Sequence, residues 1–248
     1  MYIATHDLPH GRFYQVEQEG KNLWLPSVTT ILGHGVDKSW LIEWRNVVGE
    51  ERAQEISTLS ANRGTVLHYL LENFFEKGNQ SYRDFMMMHY QKILDQGFTE
   101  KEWEIGKKLF SNFFLFKDIE RIKKVIFQEV PIWSLKAGGF AGRIDIVFEN
   151  VKDILTIGDF KSSKKPKAKA DILGYRLQVA AYSIAYYERY GKFPTRAEIM
   201  ISCETGDLQI FEIEKKELQE LCFEFLEMVK LFHRDAKINI FENQINKL

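Results

Sequence analysis

The chain has 248 residues, 34 Lys+Arg against 35 Asp+Glu, 45% hydrophobic and 28% charged side chains, and five prolines. That balance makes disorder not the default reading and leaves room for one large α/β domain or two small ones. Near-neutral net charge excludes polyanion binding by global charge, so any nucleic-acid surface must be a local patch. Cys203 and Cys222 are too few and too far apart for a disulfide framework or a four-cysteine metal site. They read as reduced, partly buried thiols, and a cytoplasmic setting fits. Residues 1–11 lack the apolar run of a secretory signal, and no stretch approaches the ~18 consecutive apolar residues of a membrane span. No contact with a membrane is expected.

In chain order, residues 13–26 alternate weakly around Glu19-Gly20-Lys21-Asn22 and read as a β-hairpin. Ser27 is placed to cap a short helix that Gly33 and Gly35 stop. A helix over 38–58 follows, then one over 62–77 with Val66, Leu67, Leu70, Leu71, Phe74 and Phe75 as its apolar stripe and Gly78 as its stop. Further helices over 80–96 and 99–121 make residues 1–121 a mostly helical portion. The pattern then switches to β-rich runs at 124–133, 140–149 and 153–161. A helix over 171–190, strands at 196–202 and 207–213 and a long helix over 215–235 complete an αβ core spanning 122–236. The expected fold is α/β (α+β), a central mixed sheet flanked by helices. With no Gly/Ser/Pro linker, 1–248 reads as a single unit with an uninformative tail at 237–248.

The chemistry concentrates in Gly142-Arg143-Ile144-Asp145 and Asp159-Phe160-Lys161. Strand alternation puts Asp159 and Lys161 on one face, about 6–7 Å apart. It also assigns Ile144, Ile146 and Phe148 to one face of their strand, and Arg143, Asp145, Val147 and Glu149 to the other. A connection of three residues (151–153) or five (150–154) sets Asp145 opposite Asp159; one of four sets them on opposite faces unless a bulge intervenes. Neighbouring carboxylates repel and ask for a cation, and hard oxygen ligands suit Mg²⁺ or Mn²⁺. A lysine beside such an ion completes the set needed for phosphodiester hydrolysis.

These residues, together with Ser162-Ser163, Gln178 and Tyr182, resemble the PD-(D/E)XK nuclease superfamily. The RecB-like exonuclease branch is the nearest likeness, with its restriction-endonuclease-like core. Leu25-Pro26-Ser27-Val28-Thr29-Thr30-Ile31-Leu32 and Arg63-Gly64-Thr65-Val66-Leu67-His68 with Glu72 narrow the likeness. They point to the group containing the mitochondrial genome maintenance exonuclease and its bacterial and phage relatives. The resemblance implies metal ligation by His68, Asp145, Asp159 and the backbone carbonyl of Phe160, with Lys161 as the catalytic lysine. It gives Gln178 and Glu129 supporting catalytic roles, and a bacterial or phage-infected cell as the setting, the mitochondrial matrix staying open. Two cysteines do not match the four that hold an iron–sulfur cluster in one sub-branch, so no cluster is expected.

The run Lys161-Ser162-Ser163-Lys164-Lys165-Pro166-Lys167-Ala168-Lys169 has five lysines and no acid. It reads as a phosphate-tracking loop, extended by Arg176, with Arg63 and Tyr182 as further nucleic-acid contacts. The expected function is a metal-dependent DNA exonuclease favouring single-stranded ends, in recombination, repair or replication. A non-catalytic DNA-end-binding relative, an endonuclease and an RNA-directed phosphodiesterase are the alternatives.

Overall fold

The computed structural model describes residues 3–34, 36, 39–77, 81–115 and 118–237. Gly35, Gly78 and the tail beyond Lys237 lie outside the described residues. The expected hairpin is real, but it belongs to a three-stranded antiparallel sheet: β1 (Ile3–Leu8), β2 (Gly11–Gln18) and β3 (Lys21–Pro26). The N-terminal portion is therefore a small sheet followed by helices. Ser27 caps α1 (Val28–Leu32) as predicted, its hydroxyl accepting from the Thr30 amide.

The next helices divide elsewhere than the apolar pattern suggests. α2 (Ser39–Val48) stops at Gly49, and α3 (Glu50–Lys77) then runs unbroken through the expected gap at 59–61. The alanine, glutamate and leucine content of 50–61 supplies enough helix propensity to carry it. α4 (Tyr82–Asp95) and α5 (Glu100–Leu115) follow, and a short 3₁₀ turn at Asp118–Arg121 leads into the main sheet.

That sheet has the order β4-β5-β6-β7-β8, from β4 (Ile122–Ser134), β5 (Phe140–Asn150), β6 (Leu155–Ser163), β7 (Arg196–Cys203) and β8 (Leu208–Glu214). Only β6 and β7 are parallel, because α6 (Leu173–Tyr190) crosses between them. α7 (Lys215–Ala236) closes the chain. One face carries α6 and α7 over Val147, Ile157, Ile199 and Ile201; the other carries α3, α4 and α5 over Ile146, Phe148, Phe160 and Met200. The N-terminal sheet packs Val16, Leu23 and Leu25 on Trp133 and Ala141, while Phe13 and Trp24 join the α6–α7 core. Among the described residues no helix is long and apolar enough to cross a membrane.

A close crossing fixes α3 against α5. A Cβ on Gly106 would fall on Val66, 2.6 Å from the valine Cβ, two residues before His68. Helix propensity alone would make Gly106→Ala stabilising by about 1 kcal/mol. Overpacking against Val66 outweighs it, and we expect a net loss of roughly 1–3 kcal/mol in urea unfolding. Adding Val66→Ala should recover part of that loss; additive effects in the double mutant would contradict the contact.

Candidate active site

The connection between β5 and β6 is the five-residue case: Glu149 pairs with Leu155, and the register runs on to Ile146 with Gly158. The next step would set Asp145 opposite Asp159, but the recorded ladder ends there. Beyond that point β5 stays with β4 and β6 with β7, so a split opens between β5 and β6. Ile144 lies in the α6–α7 core, whereas Ile146 and Phe148 lie in the α3–α5 core. The simple alternation expected for β5 therefore fails at Asp145, where the strand turns over. At the same level of β4, between the pairs Gln128–Ile146 and Val130–Ile144, Glu129 takes a left-handed φ of 51°. For a mid-strand glutamate that conformation costs on the order of 1–3 kcal/mol, a strain typical of functional positions.

The split leaves the Phe160 amide without a strand partner, and side chains satisfy both its ends. Its N–H donates to Asp145 Oδ2 at 2.7 Å, and its carbonyl lies 3.0 Å from Nε2 of His68, which descends from α3. His68 Nδ1 is 3.1 Å from Glu129 Oε1 and 3.8 Å from Asp145 Oδ1. Both ring nitrogens thus face acceptors, the arrangement of an imidazolium. Burial works against that charge, but Asp145 and Glu129 outweigh it and hold the His68 pKa up at about 9.

Asp159 and Lys161 leave β6 towards α6. The Lys161 ammonium sits 2.6 Å from both Asp159 oxygens, donating to Oδ1, and lies 5.2 Å from the centre of the Tyr175 ring. Burial raises the Asp159 pKa and Lys161 opposes it; with Asp145 adding to the rise, it stands at about 6. Both Asp159 oxygens are buried, with the Lys161 ammonium as their shared close neighbour. Burial disfavours the Lys161 ammonium, but Asp159 and Asp145 prevail and its pKa is raised. Below the site, Gln178 donates to the Tyr182 hydroxyl at 2.9 Å. The Tyr182 ring packs so close to β5 that a Cβ on Gly142 would come within 2.6 Å of it. This explains the glycine of the Gly-x-x-Asp strand. Burial first, then Asp145 and Asp159, hold the Tyr182 phenol well above 10.

Several expected nucleic-acid contacts are engaged inside the protein. Tyr182 is only 4% exposed, so its ring is closed to a base. Arg63 is buried and paired with Glu204 at 2.5 Å. Ser163 is buried and its hydroxyl donates to the Lys165 carbonyl at 2.7 Å, bracing the loop. Arg176 is bound to Glu217, which also takes Lys169 at 3.1 Å. Gln209 pins the backbone of half-buried Lys167. Lys164 and Lys165 remain exposed, and Ser162 lines the cleft.

That cleft, of about 550 Å³, opens over His68, Glu129, Phe160 and Lys161 and is walled by α3 from Ser60 to Glu72. Ligand atoms of His68, Glu129 and Asp145 lie within 4.8 Å of one another. One nitrogen and two carboxylates that close, with the Phe160 carbonyl 3.0 Å from His68 and the buried Asp159 carboxylate near enough to Asp145 to raise its own pKa, are a donor set fit for a divalent cation. Glu129 is more central than the sequence suggested. Its left-handed backbone and its place opposite Asp145 leave no trace in local sequence. Cys203 and Cys222 lie buried in separate elements, β7 and α7.

A sequence profile of the PD-(D/E)XK nuclease superfamily matches residues 44–241. No curated protein sequence matches the chain. Among solved structures, an exonuclease candidate from Eubacterium rectale aligns with a TM-score of 0.44 and 15% identity, over 74% of this chain and 71% of that one. The protein SSO0001 aligns with a TM-score of 0.33 and 11% identity, over 66% of this chain and 84% of that one.

His68 must lose its proton to become a ligand, and it holds that proton up to a pH of about 9. Mn²⁺ affinity should therefore rise ~10-fold per pH unit between neutrality and that value, then level off. Calorimetric titration of wild type and His68→Ala checks this: the variant should bind more weakly and lose the slope. A wild-type affinity independent of pH would remove His68 from the centre.

Proposed function

The chain belongs to the PD-(D/E)XK nuclease superfamily, and on that premise we propose that it is a divalent-metal-dependent DNA exonuclease favouring single-stranded ends. Membership makes it a phosphodiester hydrolase of nucleic acid; DNA, free ends and a place in recombination, repair or replication are our reading. The observation that carries it is the convergence of His68, Glu129 and Asp145 ligand atoms to within 4.8 Å of one another, at a cleft lined by His68, Glu129 and Lys161.

Asp145, Glu129, His68 and the Phe160 carbonyl, with Asp159 completing the set, would hold Mg²⁺ or Mn²⁺. The bound ion would polarise a phosphoryl oxygen and acidify a water. Lys161, whose pKa is raised, stays cationic at neutral pH. It anchors on Asp159 and offers its remaining protons to a non-bridging phosphoryl oxygen as charge develops there. The Tyr175 ring limits where the ammonium can swing. Gln178 and Tyr182 close the far side of the carboxylates and shut out water. The volume of the cleft is that of a small-molecule site, which suits a nucleotide or so of single strand better than a duplex. Exposed Lys164 and Lys165, on the loop that follows cleft-lining Ser162, suit sequence-blind phosphate contact. We treat the chain as one nuclease unit, since Phe13 and Trp24 share a core with α6 and α7.

End-labelled single- and double-stranded linear DNA, a closed circle, and RNA of the same sequence, each with and without EDTA, test the reading. We expect metal-dependent release of nucleotides or short oligonucleotides, fastest from single-stranded DNA. Nicking of the circle at a comparable rate would make it an endonuclease, and faster turnover of RNA would change the substrate. Asp145→Ala, Asp159→Ala and Lys161→Ala should each lower kcat by about 100-fold or more while DNA binding persists. Replacing Lys164, Lys165 and Lys167 together should instead weaken binding and flatten its salt dependence. Equal loss of chemistry and binding in both sets would contradict this division.

A further inference from the structure

Arg143 sits on β5 two residues before Asp145, lines the cleft, and has a side chain 55% exposed. Its Nε is 2.7 Å from Glu129 Oε2, while the other oxygen of that carboxylate faces His68. Glu129 therefore works as a strut that fixes the guanidinium at the mouth of the cleft. The pair meets at Nε, no second acid is paired with Arg143 among the described residues, and the two terminal nitrogens form a planar donor fork suited to another partner. Nearby Ala141 packs against the N-terminal sheet in a cluster that includes Tyr14, and Tyr14 senses the charges of both Arg143 and Glu129. The fork thus stands between the catalytic carboxylates and a sheet that precedes the stretch matched by the family profile.

An arginine half in solvent, oriented by an acid and set beside a site for phosphodiesters, has the geometry for bidentate binding of phosphate oxygens. We propose that Arg143 is a substrate-binding residue, gripping the non-bridging oxygens of a phosphate of the strand in the cleft. This rests on the nuclease reading and adds a contact to it. Arg143 and Lys161 line the same cleft, so a phosphodiester bound there meets both cations. Lysine would keep the charge at this position but lose the fork.

The test is fluorescence anisotropy of a short labelled single-stranded oligodeoxynucleotide, with Ca²⁺ replacing Mg²⁺ so that no turnover is needed. Calorimetric Mn²⁺ titration and steady-state kinetics accompany it, on wild type, Arg143→Ala and Arg143→Lys. We expect Arg143→Ala to weaken DNA binding ~10- to 100-fold and to raise KM, with Arg143→Lys in between. Mn²⁺ affinity should be unchanged or tighter, because removing a cation beside Glu129 cannot repel another. Weaker Mn²⁺ binding in Arg143→Ala would show that the arginine only positions Glu129, and would overturn the grip. Wild-type cleavage and binding matched by Arg143→Ala would overturn the grip and leave the nuclease reading standing. A wild type that neither binds nor cuts DNA would remove both.

Discussion

The whole site hangs on one hydrogen bond, from the Phe160 amide to the Asp145 carboxylate at 2.7 Å. It forms where β5 and β6 part company. A backbone N–H left unpaired in the interior would cost about 1–3 kcal/mol. The aspartate removes that cost with one oxygen and keeps the other near His68. His68 meets the carbonyl of the same residue. Groups that could hold a cation are thus also the groups that repair an opened sheet, which explains how a rigid core tolerates a polar gap at its centre.

Opening the sheet also joins its two sides. His68 comes from α3 on one face, while Asp159 and Lys161 point towards α6 on the other. Through an intact ladder they could not share an environment; at the split they do. The electrostatics record the crowding. His68 keeps its proton to about 9, and burial drives Asp159 up to about 6. The proton on His68 occupies, in effect, the place of a cation that the carboxylates demand.

Much of this was legible in the sequence because strand geometry is stringent. A side-chain period of two, with connections of only a few residues, restricts how Asp145 can face Asp159. The five-residue connection is one of the two cases that would set them opposite, but the ladder ends one step short, at Ile146 with Gly158. The Ser27 cap and the sequence of strands and helices from 122 to 236 follow from equally local rules. What escaped depends on contacts distant in sequence. Nothing near Glu129 signals a left-handed backbone or a position opposite Asp145. The β1 segment, Ile3-Ala4-Thr5-His6-Asp7-Leu8, carries only a weak alternation, and its strand character comes from pairing with β2. Tyr182 looked available to a base because the face of a helix cannot be told from spacing when both sides carry apolar residues. Its true partner is Gly142, forty residues away. Arg63 and Arg176 likewise met acids, Glu204 and Glu217, that no motif links to them.

On this reading the split between β5 and β6 is a metal centre. Anomalous diffraction at the manganese edge, from crystals grown with Mn²⁺, tests it most directly. A peak bounded by Asp145, Glu129, His68 and the Phe160 carbonyl is expected, with the hydrogen bond from the Phe160 amide to Asp145 retained. A split without such a peak, with His68 still clasped between Glu129 and Phe160 at saturating Mn²⁺, would contradict it.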